Sequence, residues 1–301
     1  MKTKKNMSIL DWLEIVKSRQ EKKSTAQSYN TLKTHLLTFM KDRRMEEMTL
    51  GKADQRFCLG FKEYLSKAGN TRVKESFRPI GTITQRKLFV QFSTLLSKAV
   101  QEGILKTNPC ANIKKPSFTA AERNFLTEEE LDRLILTPCR RNDVREAFLF
   151  SCFTGLRWSD IKSLEFKDIH KSEGIWTIKK TMVKTGTWLS LPLCDGAIAL
   201  LPRRDIGPVF HLPVPSCANA VIRDWAKDAS IDKKITFHCA RHTFATLLLK
   251  KGADIYTVSK LLGHTNIATT QIYARILDES KFRAIKLLDI VDDKLSQHYF
   301  H

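Results

Sequence analysis

Apolar side chains recur at three- and four-residue intervals along most of the chain, the spacing of one face of a helix. Ile9, Leu10, Trp12, Leu13 and Val16 follow Ser8, whose hydroxyl suits a first-turn cap. Ser24-Thr25-Ala26-Gln27 has the form of a capping box, and Tyr29, Leu32, Leu36, Phe39 and Met40 behind it predict a long second helix. A third is expected from Gln55 to Lys67, stopped by Ala68-Gly69-Asn70. Thr82-Ile83-Thr84-Gln85 opens a fourth, with Leu88, Phe92, Leu95, Leu96 and Val100 on its apolar face and an end at Glu102-Gly103. This front part reads as a small four-helix domain. Asn108-Pro109 ends regular helix, and Ile113-Lys114-Lys115-Pro116-Ser117, with two cations and a proline, is the linker candidate.

The pattern resumes at Thr127-Glu128-Glu129-Glu130, a second capping box, ahead of Leu131, Leu134 and Ile135. Asn142 to Phe153 predicts a buried helix that delivers Thr154-Gly155-Leu156-Arg157 at a turn. The period then shortens. Trp176-Thr177-Ile178-Lys179 and Trp188-Leu189-Ser190-Leu191 predict two short strands joined by the Met182 to Thr187 loop, where Gly186 forms the turn. Helical spacing returns from Ser216 to Ala229 and again from His238 through Leu247, Leu248 and Leu249 to Lys250-Lys251-Gly252, a cationic last turn with a glycine stop. Asp254 caps a helix through Val258, Leu261 and Leu262, and Asn266 caps a last short one ending near Tyr273. Leu277 to Val291, with Ile285, Leu287, Leu288 and Ile290, is an amphipathic tail that suits packing in cis and docking on a neighbouring subunit equally. The expected fold is mainly α with a small antiparallel β-sheet, in two domains: a helical domain over 1–113, a linker over 114–123, and a second domain with the tail over 124–301.

Charge adds a partner. The 301 residues carry a net charge of +19, with a pI near 9.7, so an acidic polymer is the expected ligand. The excess is uneven: residues 1–120 hold 24 Lys and Arg against 10 Asp and Glu, which makes the front part the main electrostatic clamp. Lys33, Arg72, Lys74, Arg78, Arg86 and Lys87 are its candidate phosphate contacts. A plain basic surface that only aids solubility accounts for charge alone. The seven cysteines have no C-x-x-C pairing, which argues against a disulfide frame or zinc site and suits a reducing cytoplasm. Cys152 and Cys239 are expected to pack as small hydrophobes. No apolar run approaches the roughly 18 residues of a membrane span. Met1 to Asn6 is basic but lacks a following apolar region of signal type.

The candidate chemistry gathers late in the chain. His238 and Arg241 share a helical face, with His242 one step further round. Leu261-Leu262-Gly263-His264 follows, then Gln271-Ile272-Tyr273. A guanidinium stays charged and binds phosphate with two prongs, an imidazole titrates near neutrality, and a phenol is a nucleophile once its proton is taken. The set suggests chemistry on an anionic phosphate. Asp160, three residues after Arg157, could pair with that guanidinium or cap a helix. Lys184, at the tip of the predicted hairpin, is by itself better explained as a solvated turn lysine; Lys179 and Lys180 lie close in sequence, but Lys184 alone stands in a Lys-Thr-Gly context. His238 and His242 have a zinc-pair spacing, but Cys239 stands where the usual glutamate would be, so His242 is expected to be a structural hydrogen-bonding residue.

Together these boxes resemble the tyrosine recombinase (phage integrase) family, of the Xer-like and mobile-element integrase kind. The resemblance covers residues 124–274 strongly: Thr154-Gly155-Leu156-Arg157-Trp158-Ser159-Asp160-Ile161 looks like its first arginine box, Lys184-Thr185-Gly186 its hairpin lysine, then the H-x-x-R-H box, the L-G-H box and the tyrosine. Ala240 stands where the family usually has leucine. The resemblance implies a SAM-like core-binding domain at the front and a catalytic domain behind, closing on DNA as a C-shape. It implies a site-specific recombinase for integration, excision or inversion. Arg157 and Arg241 would clamp the non-bridging oxygens. Tyr273 would attack phosphorus to give a 3′-phosphotyrosyl link, with His238 as base. His264 would donate to the phosphate, and Lys184 would protonate the leaving 5′ oxygen. Neither cofactor nor metal is expected. The implied partners are double-stranded DNA with paired inverted-repeat core sites and further copies of the chain, a tetramer on DNA that the tail could join. The implied setting is the cytoplasm, at the nucleoid. No extra N-terminal domain for distant DNA sites is expected. Two readings compete: a type IB topoisomerase-like enzyme, which shares this residue logic, and a non-catalytic basic DNA-binding regulator, which explains the charge but not the coincidence of boxes.

Overall fold

The computed structural model describes residues 6–70, 78–117, 123–204 and 206–273, together with Ile285. The chain divides into two units, Met1–Ala121 and Glu122–His301.

Four helices build the first unit: α1 (Ile9–Ser18), α2 (Lys23–Asp42), α3 (Gln55–Lys67) and α4 (Thr82–Gln101). Ser8 Oγ accepts from the Asp11 amide at 3.0 Å, and Asp54 Oδ1 from the Phe57 amide at 2.8 Å, so α1 and α3 start on side-chain caps. The expected box at Ser24 does not form. Helix α2 starts two residues earlier, behind Lys22, with no side-chain cap; its buried apolar face, not its first turn, fixes it. Leu32, Leu36, Phe39, Phe57, Phe61, Phe92 and Leu95 fill the core. The Trp12 indole donates to the Leu95 carbonyl at 2.9 Å and ties α1 to α4.

In the second unit, α5 (Glu128–Leu136) opens on the Thr127–Glu130 capping box. Helix α6 (Asn142–Thr154) is buried over nearly its whole surface, including Val144, Ala147 to Cys152 and Thr154, as an all-round apolar helix must be. Helix α7 (Trp158–Lys162) follows at once. A three-stranded antiparallel sheet comes next, β1 (Ile169–Ser172), β2 (Ile175–Thr181) and β3 (Trp188–Pro192), in the order β1-β2-β3. The alternation in β2 turns Ile178 and Lys180 inward, and Ile178 pairs with Ile169 on one side and Leu191 on the other. Then come α8 (Asp195–Ile198), α9 (Pro215–Asp228), α10 (Phe237–Lys250) and α11 (Ile255–Leu261). Phe148 of α6 meets Trp225 of α9 and Phe237 of α10 edge-on, each at 6.0 Å between ring centres. Helix α6 is thus the post around which the other elements are set.

The structure departs from expectation at two further places. Strand β1 was not anticipated: Ile169-His170-Lys171-Ser172 is polar and mostly exposed, and only pairing with β2 makes it a strand. The stretch capped by Asn266 is not an α-helix but two single 3-10 turns, Ile267–Thr269 and Gln271–Tyr273. The tail over 277–291 lies outside the described residues, apart from Ile285.

Candidate active site

Helix α10 presents His238, Arg241 and His242 on adjoining faces. Thr236 caps it, and the Cys239 thiol reaches back to accept from the Thr236 amide at 3.3 Å. Cys239 is therefore buried and also closes the first turn. His238 and His242, one turn apart, stand edge-on with ring centres 4.7 Å apart.

Arg241 is 3% exposed and joins three separate boxes. Nη1 donates to the Gly155 carbonyl at 2.7 Å; Nη2 donates to the Leu262 carbonyl at 2.7 Å and to His264 Nε2 at 2.8 Å. A guanidinium only donates, so Nε2 of His264 is an acceptor and its ring proton sits on Nδ1, 2.8 Å from Thr270 Oγ1. His264 thus braces Arg241 in this structure, where a phosphate donor was expected.

Gly155 is held to glycine twice over. Its φ is +67°, and a Cβ there would come within 2.5 Å of the Phe244 ring and 2.9 Å of Leu262. The turn it makes places Arg157 at the N-cap of α7. Arg157 Nη1 is buried and has no hydrogen-bond partner. Burial lowers the Arg157 pKa, against the opposing pull of Asp160. Burial, then the Arg157 charge, bring Arg241 down to about 9. Two like charges in one water-poor recess, one of them with an unsatisfied N–H, make a receptor for an anion.

The imidazoles are neutral. Burial, then the charges around them, hold His264 at about 4 and His242 at about 3. For His238 burial, then the charges of Arg241, Arg123, Arg157 and Lys184, lower the pKa to about 4. Tyr273 is buried against Phe244, Ala245, Leu249, Val258 and Leu262, and burial outweighs Arg241 and Arg123 to push its phenol up to about 12. The phenol lies 2.5 Å from Nδ1 of His242. Between a protonated phenol and a neutral imidazole, the His242 tautomer decides which of the two donates. The base expected beside it, His238, makes no hydrogen bond to it among the described residues; the structure gives that contact to His242.

Asp160 does not pair with Arg157. Its carboxylate is fully buried, and Oδ1 accepts from the Val183 amide at 2.9 Å. Lys184 is exposed on the loop between β2 and β3, which is closed by Gly186 N–H to Met182 O at 2.8 Å and Met182 N–H to Thr187 O at 2.9 Å. Lys180 is buried, donating to the carbonyls of Ser163 at 2.9 Å and Asp160 at 3.2 Å, which removes it as a rival to Lys184. Lys179 stays exposed on the outer face of β2.

Sequence reasoning missed Arg123, taken as linker. It is exposed and acts on His238, His242, His264 and Tyr273 through its charge. Asn124 donates to the Lys234 carbonyl at 3.0 Å and the Leu126 amide to Thr243 Oγ1 at 2.9 Å, so this segment is tied to the loop before α10 and to α10 itself. The basic-polar stretch before Phe125 carried no periodic signal that could have shown this.

In the first unit, Lys33 pairs with Glu14 at 2.7 Å. Arg86 Nη1 donates to the Pro116 carbonyl at 2.9 Å. Arg78 and Lys87 are exposed, and Lys87 borders a groove of about 370 Å³ with Ser24, Gln27, Thr31, Asn70 and Thr84. Arg72 and Lys74 lie outside the described residues. Among the described residues no group of His, Cys, Asp and Glu gathers as a metal site, and no helix is long and apolar enough to cross a membrane.

Residues 214–280 match the phage integrase family, and residues 8–115 match the phage integrase SAM-like domain. A tyrosine recombinase of Thermosipho africanus is 32% identical over 198 residues, 62% of this chain and 69% of that protein. The tyrosine recombinase XerD of Halalkalibacterium halodurans is 30% identical over 197 residues, 59% of this chain and 65% of that protein. Among solved structures, the Tn1549 transposon integrase in complex with circular intermediate DNA superposes with a TM-score of 0.65 at 16% identity, covering 89% of this chain and 95% of that one. A lambda integrase dimer bound to a COC′ core site gives 0.65 at 19%, covering 87% and 95%. At such identities these structures speak for the fold.

Proposed function

The chain belongs to the tyrosine recombinase family, site-specific recombinases that break and rejoin DNA, and we propose that it does so through a 3′-phosphotyrosyl intermediate on Tyr273. The observation that carries this reading is the junction at Arg241. One guanidinium ties the turn before Arg157 to the Leu262–His264 box, while Arg157 keeps a buried N–H with no partner. An anion seated between the two guanidiniums would satisfy that donor and relieve their mutual repulsion.

Phosphoryl transfer is a matter of in-line placement and charge stabilisation. Arg157 and Arg241 bind the non-bridging oxygens and neutralise the charge that grows there. Tyr273 Oη forms a bond to phosphorus as the bond to the 5′ oxygen breaks. The phenolic proton passes to an imidazole, and the neutral state of His238 and His242 leaves both able to take it. Lys184 supplies a proton to the departing 5′ oxygen. A 5′ hydroxyl from the partner duplex reverses the step, since the phosphotyrosine conserves the bond energy. The substrate is duplex DNA, for which the basic first unit provides the electrostatic grip. Paired inverted core sites and a tetramer of this chain complete the proposal.

A suicide duplex, nicked beside the crossover, tests it. The wild-type chain should give a covalent adduct on a denaturing gel, and Tyr273→Phe should give none while retaining duplex binding. Adduct from the Phe variant would remove Tyr273 as nucleophile. Exchange between paired sites on a supercoiled plasmid separates recombination from relaxation alone.

A further inference from the structure

Helix α7 carries Arg157 at its N-cap and Asp160 one turn on, and the loop end of the β2–β3 hairpin is fastened to Asp160 at two neighbouring points. Near the end of β2, Lys180 Nζ donates to the Asp160 carbonyl at 3.2 Å, with Ser163 O at 2.9 Å, Ser163 Oγ at 3.1 Å and Asp168 at 3.4 Å around it. At the tip, the Asp160 carboxylate takes the Val183 amide at 2.9 Å. The side chain is 0% exposed, and its Oδ2 has no partner. A carboxylate so placed is costly to bury, and among the described residues it forms no ion pair. Among the described residues the one hydrogen bond of its side chain is to the residue next to Lys184.

We propose that Asp160 is a positioning residue for the leaving-group end of the reaction: by fixing Val183 it aims Lys184 at the 5′ oxygen, from the same short helix that holds Arg157. This rests on the reading of Lys184 as proton donor. A charge-assisted hydrogen bond to a backbone amide is strong enough to order a loop. Without it, the turn keeps its own closure through Met182, Gly186 and Thr187 but loses its tie to the arginine, and the lysine is no longer presented at a set place.

The leaving group distinguishes this role from a merely structural one. A suicide duplex with sulfur in place of the bridging 5′ oxygen releases a thiolate, which needs no proton. On the oxygen substrate, Lys184→Ala should slow single-turnover cleavage by about 10²-fold or more, and Asp160→Ala by at least about 10-fold on the same basis. On the sulfur substrate both should return to near the wild-type rate, and Asp160→Asn, which keeps an oxygen acceptor, should recover most of the loss on oxygen. Val183→Pro removes the amide donor at an exposed position, while also fixing φ there and restricting Met182, and should show the same sulfur-rescued defect even if Asp160→Ala fails to fold. Rescue of Lys184→Ala with no rescue of Asp160→Ala or Val183→Pro would overturn the inference. No rescue of Lys184→Ala would instead overturn the lysine's role, and the inference with it.

Discussion

The Tyr273 phenol is hydrogen-bonded to His242 Nδ1 across 2.5 Å, although His238, one turn back on the same helix, is the imidazole that the sequence boxes nominate as its base. The contact is the only hydrogen bond to that hydroxyl among the described residues, and it holds a phenol whose own pKa has risen to about 12. His242→Phe should therefore slow single-turnover cleavage by about 10²-fold, with duplex affinity unchanged in a gel-shift titration. A wild-type cleavage rate in this variant would separate His242 from the phenol and return the proton to His238.

The same histidines predict how stability depends on pH. Free histidine titrates near 6.5, and in the fold His242 is at about 3 and His264 at about 4. Below pH 6.5 the unfolded chain takes up protons that the folded site refuses. Stability is then constant above about pH 7 and falls as pH drops from 6.5 toward 4. Around His242 stand His238, His264, Arg123 and Arg241, all of which oppose its charging. Urea midpoints at pH 7.5 and pH 5.0 check this, in a window above the carboxylate range. The midpoint should fall between them, and His242→Gln should fall less. An unchanged wild-type midpoint would contradict the assignment.

Arg241→Lys keeps the charge but cannot reach Gly155, Leu262 and His264 together. Cleavage should fall by about 10²-fold or more. Suicide-substrate kinetics read the loss, and near-normal cleavage by the lysine variant would show that the three-way junction is dispensable.

Gly155→Ala sets a Cβ 2.5 Å from Phe244 on a backbone with φ of +67°. It should cost well over about 1 kcal/mol in urea unfolding and abolish cleavage, because the carbonyl that receives Arg241 moves with the turn. A variant of unchanged stability would show that Phe244 and Leu262 yield freely.

Salt dependence of duplex binding separates the two lysines of the first unit. Lys87→Ala should flatten the slope of log affinity against log salt by about 0.9. Lys33→Ala should leave the slope as it is, since Glu14 already holds that ammonium. Equal effects would mean that Lys33 leaves Glu14 to reach phosphate.

Much of this arrangement is legible in the chain itself. The helices read from apolar spacing, and Arg157, Lys184, Arg241, His264 and Tyr273 stand in boxes whose order is specific. What did not read is who touches whom across long separations. Asp160 and Arg157 share a helical spacing, which suggests a pair, yet the carboxylate finds an amide 23 residues on. Only the pairing of β2 with β3 brings that amide near. Arg123 sits in a stretch with no periodicity, and its place follows from hydrogen bonds of Asn124 and Leu126 to distant partners. Strand β1 has too few apolar positions to announce itself. The 3-10 turns around Tyr273 depend on local carbonyl geometry, which residue type barely constrains.

The inward-facing Lys180 also settles the alignment of the hairpin. Side chains on a strand alternate, so a slip of one residue would throw this ammonium and Ile178 outward and draw Lys179 and Thr181 in, stranding the acceptors of Ser163 and Asp168. A charged residue in the interior thus acts as an index pin for the ladder, and the tip lysine inherits its height above the arginines from that setting.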